Sequence, residues 1–78
     1  MTTVDKLTRA DLARHLSESL GEEKAAEVIA EAARALGYAV DEYDKQQTLQ
    51  ILERLAKQPG LVGIVARFAK VRIILKFK

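Results

Sequence analysis

Cysteine is absent from this chain, which excludes disulfides, thiolate metal ligands and a cysteine nucleophile. Tryptophan is absent too, proline occurs once, at Pro59, and aromatic residues make up only 5% of the sequence. No run of about 18 apolar residues is available to cross a bilayer. The N-terminus lacks the basic-then-apolar order of a secretory signal, so a cytoplasmic location is expected. The glycines, Gly21, Gly37, Gly60 and Gly63, stand apart, so no phosphate-cradling loop is formed. The most informative absence is of acid. After Glu53 there is none, and the stretch to the last residue carries Arg54, Lys57, Arg67, Lys70, Arg72, Lys76 and Lys78 among long apolar side chains.

What is present describes a folding chain. Apolar residues make up 49% and charged residues 31% of 78 residues, with a net charge of +2, a balance typical of globular rather than disordered proteins. That charge is uneven: residues 1–40 hold seven acids and five bases, residues 41–78 four acids and eight bases. The length fits a single domain over 1–78, close to the lower limit at which one core suffices. Without disulfides, self-association is the expected supplement.

Four helical segments are predicted. Thr8 with Asp11 three residues later reads as a capping box, Leu12, Leu16 and Leu20 form a stripe, and Gly21 ends the helix. Glu22 to Leu36 is alanine-rich and opens with acids at the positive helix end. Its face is Ala25, Val28, Ile29, Ala32, Ala33 and Leu36. Residues 38–43 read as a connection. Asp44 with Gln47 repeats the capping logic, and Leu49, Leu52, Leu55 and Ala56, with Ile51 at the edge, define a third helix ending near Lys57. Pro59-Gly60 marks a turn. No internal repeat is apparent.

The last segment reads two ways. As a helix, Leu61, Ile64, Val65, Phe68, Val71 and Leu75 share a face. As a strand, Val71, Ile73, Leu75 and Phe77 alternate with Lys70, Arg72, Lys76 and Lys78; the plain helix is preferred. The fold class is therefore all-α, a compact bundle of about four helices, with residues 71–78 open to ending as a short β-strand.

Catalytic chemistry has little to work with. His15 is the sole histidine, and Ser17 and Ser19 on the same helix do not build a nucleophile, base and orienting acid. Asp41, Glu42 and Asp44 lack calcium-loop spacing. No catalytic, cofactor or metal residues are expected, and no small-molecule substrate.

The basic-apolar tail carries the functional expectation: a small non-enzymatic interaction or regulatory module, self-associating or binding another protein. Its interface would be Leu61, Ile64, Val65, Phe68, Val71, Ile73, Leu75 and Phe77. The alternative is non-specific nucleic-acid binding through Arg67, Lys70, Arg72, Lys76 and Lys78, weakened by the lack of polar base-reading residues. A membrane-surface role ranks last, because apolar character is spread around the segment.

Leu7-Thr8-Arg9-Ala10-Asp11-Leu12-Ala13, then Leu20-Gly21 and an acidic alanine-rich helix, resembles the opening helical pair of the HU and integration-host-factor family of DNA-bending proteins. The resemblance covers the first half. It would imply a dimer with strand arms that insert into the minor groove. The second half, with a third helix and Pro59-Gly60 in place of a glycine-rich strand turn and basic arm, departs from that pattern, so the family's binding residues are not carried over.

Overall fold

The computed structural model describes residues 5–77. The elements run β1 (Lys6–Thr8), α1 (Arg9–Leu20), α2 (Glu22–Ala35), β2 (Glu42–Asp44), α3 (Lys45–Ala56) and α4 (Leu61–Ile74). The four expected helices are present, and a short antiparallel two-stranded sheet accompanies them.

Both expected capping boxes form. The Thr8 hydroxyl accepts from the Asp11 amide at 3.1 Å, and Asp11 accepts from the Thr8 amide at 3.2 Å. Asp44 and Gln47 make the same reciprocal pair, at 2.8 and 3.0 Å. Each box satisfies amides that a helix start would leave unpaired. Gly21 adopts φ 85°, a backbone conformation open chiefly to glycine, and there the chain passes from α1 into α2.

The two strands correct the sequence reading, which treated residues 38–43 as connection. Lys6 pairs with Asp44, Leu7 with Tyr43 and Thr8 with Glu42. Three-residue strands are too short to announce themselves by alternation, and each immediately precedes a capped helix start, which dominates the local pattern. The pairing also reveals a repeat that the residue identities hide. β1-α1-α2 and β2-α3-α4 are equivalent strand–helix–helix units, with N-caps Thr8 and Asp44 in the same place. α1 packs on α2 and α3 on α4 within the units, while α1 meets α4 and α2 meets α3 between them.

One core joins the units. Leu12, Leu16, Ile29, Tyr43, Ile51, Leu52, Leu55 and Ile73 are almost wholly buried, with Leu7, Val28, Val65 and Phe77 close to it. On α3 the buried set is Thr48, Ile51, Leu52 and Leu55. Ile51 therefore lies at the centre of the stripe and Leu49 at its edge, the reverse of the sequence reading.

The helical alternative for the last segment holds. α4 continues to Ile74, Leu75 and Lys76 form a turn, and Phe77 makes one isolated bridge. The strand reading of residues 71–78 is thus replaced by helix over 71–74, and Lys78 lies outside the described residues.

Candidate functional site

α4 carries two apolar faces with different fates. Val65, Ala66, Ala69 and Ile73 face the core. Leu61, Ile64, Phe68, Val71 and Leu75 remain 54, 51, 68, 63 and 72% exposed. Their intervals of three and four residues set them in one row along the helix. The only other exposed large hydrophobic among the described residues is Val40, so the row is a patch rather than scatter.

The eight expected interface residues therefore divide. Val65, Ile73 and Phe77 are buried in the core and cannot form an outward contact surface. The remaining five make the row. Large apolar residues on two faces of one helix leave the sequence without a sign of which face turns inward.

The equivalent helix of the other unit shows that an apolar outward face is not demanded by the fold. α2 buries Ala25, Val28, Ile29, Ala32 and Ala33, yet it exposes Glu23, Lys24, Glu27, Glu31 and Arg34. Helices in matching positions meet the same core and present opposite chemistry to the outside.

Close approach at the start of α4 fixes its position. A Cβ on Gly63 would collide with the Gln58 carbonyl oxygen and lie 3.1 Å from that of Ala56. The absent side chain lets the end of α3 and the Pro59-Gly60 turn sit directly against α4. Lys70 on α4 then reaches Glu53 on α3, with Nζ to Oε2 at 3.2 Å.

The five expected phosphate contacts do not form a single patch. Arg67 and Lys70 fall on one flank of the apolar row and Arg72 on the other; Lys70 already has Glu53 as partner. Lys76 lies in the turn beyond α4, beside Arg72. Lys78 is outside the described residues.

His15 faces cations. With Arg14 and Glu18 from α1, and Arg72 and Lys76, it lines a cavity of about 320 Å³. Burial lowers the His15 pKa from its ordinary value, and Lys76, Arg72 and Arg14 lower it further, against a smaller opposing pull from Asp11. Nearby, the Ser17 hydroxyl donates to the Arg14 carbonyl at 3.0 Å. Among the described residues no three potential metal ligands cluster and no helix is long and apolar enough to cross a membrane. A larger cavity of about 380 Å³ between α1 and α2 is lined mainly by Ala10, Ala13 and Ala26, with Arg14 and Glu22 of opposite charge.

The resemblance to the HU and integration-host-factor family ends where the helical pair does, since α2 leads into β2 and a second helical pair rather than strand arms. No family model matches the chain, and no curated protein or solved structure matches it.

Proposed function

We propose that this protein is a non-enzymatic interaction module that self-associates through the outward face of α4. The observation that carries the reading is the row Leu61, Ile64, Phe68, Val71 and Leu75, exposed on a helix whose inner face already supplies its share of the core. The charged outer face of α2 in the equivalent position supports it, because the fold alone leaves that face free to be polar.

Magnitudes favour a second copy as occupant. Covering a half- to two-thirds-exposed Leu, Ile, Val or Phe gains about 1 kcal/mol, so ten such side chains across a symmetric pair supply about 10 kcal/mol. That is the order of the freedom lost on association, about 4–15 kcal/mol. Cations at the rim, chiefly Arg67 and Arg72, oppose the pairing by about 1 kcal/mol or less each, since exposed charges interact weakly. Apolar contact outweighs the rim repulsion, and salt strengthens the pair by screening the rim.

Light scattering across a concentration series tests this. The expected result is a mass rising towards two chains over roughly the micromolar to sub-millimolar range and undiminished by salt, with Phe68→Glu remaining one chain. A mass of one chain throughout would reject self-association. Nucleic-acid binding has less support, because the apolar row separates the cations; retardation of a random duplex that fades with rising salt would restore it.

A further inference from the structure

Five groups converge where α1 meets the end of α4, and the interaction reading does not use them together. Arg14, His15, Arg72 and Lys76 supply three permanent cations and one titratable ring around the cavity, with Glu18 the only acid in its lining. Of the cations outside it, Arg9 has Asp41 at 3.3 Å, Lys24 has Glu27 at 4.0 Å and Lys70 has Glu53 at 3.2 Å. Arg14 has Asp11 at 3.5 Å. Among the described residues neither Arg72 nor Lys76 has a carboxylate within 4 Å, although Glu18 shares the cavity with both. Three cations and one titratable ring thus meet a single acid at a concave site.

We propose that this cavity binds an oxyanion of the phosphate class, held by Arg72 and Lys76 from one side and by Arg14 and His15 from the other. Arginine offers a planar fork suited to two oxygens and lysine a point charge. A cavity with protein walls screens these charges less than open water does. The site adjoins the apolar row at Arg72 and extends away from it onto α1, which supplies Arg14 and His15.

Binding and protonation are coupled. The groups facing His15 are Asp11, Arg14 and Glu18 from α1, with Arg72 from α4 and Lys76 from the turn beyond it. In the empty site burial and the three cations disfavour the imidazolium. A bound anion reverses that balance, so His15 takes up a proton more readily and, by linkage, the anion binds more tightly as pH falls.

The test follows the His15 ring by NMR titration in inorganic phosphate and in chloride at equal ionic strength, with protein kept dilute enough to remain one chain. The expected result is a His15 pKa about 0.5 or more higher in phosphate, lost in Arg72→Gln/Lys76→Gln. Glu18→Gln removes the one opposing charge and should tighten phosphate binding about threefold or more. An identical His15 titration in the two salts, or an equal rise in the doubly substituted protein, would overturn the proposal. Unchanged binding in Glu18→Gln would do so as well. All three positions substituted lie at the surface, and an unaltered far-ultraviolet spectrum verifies that each variant folds.

Discussion

Leu7 lies directly opposite Tyr43 in the antiparallel strand pair, and both side chains are buried. That one pairing brings the starts of α1 and α3 side by side. Arg9, the first residue of α1, donates its amide to the Asp41 carbonyl at 2.7 Å, and its Nε donates to the Tyr43 hydroxyl at 3.2 Å. The hydrogen bond to Tyr43 is the largest influence and raises the Arg9 pKa, burial opposes it, and smaller electrostatic pulls from Tyr43 and Asp41 add to the rise. Tyr43→Phe leaves the ring in place and removes the acceptor. The expected cost is about 1 kcal/mol, measured by urea unfolding with unchanged m-value.

The two capping boxes give matched probes of the repeated units. Thr8→Ala and Asp44→Ala should each lower stability by about 1 kcal/mol. Their strand partners are Glu42 and Lys6, both beside the other cap. The double substitution should therefore cost measurably more or less than the sum, whereas independent caps would add.

Gly63 should not tolerate the residue that usually improves a helix. Alanine is favoured over glycine by about 1 kcal/mol inside helices, yet a Cβ here strikes the Gln58 carbonyl. Gly63→Ala is expected to destabilise by about 1–3 kcal/mol, as overpacking does, in a thermal or urea melt. A more stable variant would show that α4 can move away from the turn without loss.

Thr48 is fully buried, and among the described residues its Oγ1 has no hydrogen-bond partner. The equivalent position in the first unit is Leu12, buried and apolar. Thr48→Val keeps the shape and removes the orphan hydroxyl, so it should match or exceed the parent's stability by up to about 2 kcal/mol. Thr48→Ser, which loses the methyl and keeps the hydroxyl, should fall below the parent. These two results together separate polarity from packing.

His15 and Asp11 give stability a pH dependence of known sign. Both have pKa values lowered by folding. For Asp11 the hydrogen bond from the Thr8 amide is the main cause, followed by that from the Thr8 hydroxyl, while the charges of Arg14 and His15 add to it. The unfolded chain therefore holds more protons than the folded one between the paired values, and stability rises with pH there. The His15 contribution is complete above its unfolded value near 6.5 and is lost as pH falls through the lower folded value. The Asp11 contribution is complete above its unfolded value of about 3.8 and disappears in stronger acid. In chloride buffer, melting temperature against pH should show both falls, and His15→Gln should remove the upper one and leave the lower one, slightly reduced.

The sequence made the helices legible because their signals are local. Thr8 with Asp11 and Asp44 with Gln47 mark starts, Gly21 and Pro59-Gly60 mark stops, and Leu12 and Leu16 repeat at helical spacing. What it could not display is long-range. The strands are three residues each, and their pairing joins positions far apart in the chain. The repeat is invisible because Leu12 and Thr48, or Leu7 and Tyr43, share a place and not a chemistry. For α4 the spacing identified which residues keep company, but not that Leu61, Ile64 and Phe68 look to solvent while Val65, Ala66, Ala69 and Ile73 close the core on the opposite side.

That choice has an evolutionary consequence. Val65, Ala66, Ala69 and Ile73 do the inward work of α4, so the bulky residues on its other side can change without altering the molecule's own architecture. On the proposed reading, substitution there would alter the company this protein keeps, and not its shape. The same fold could thus be reassigned to new associations by exchanging a single row of side chains.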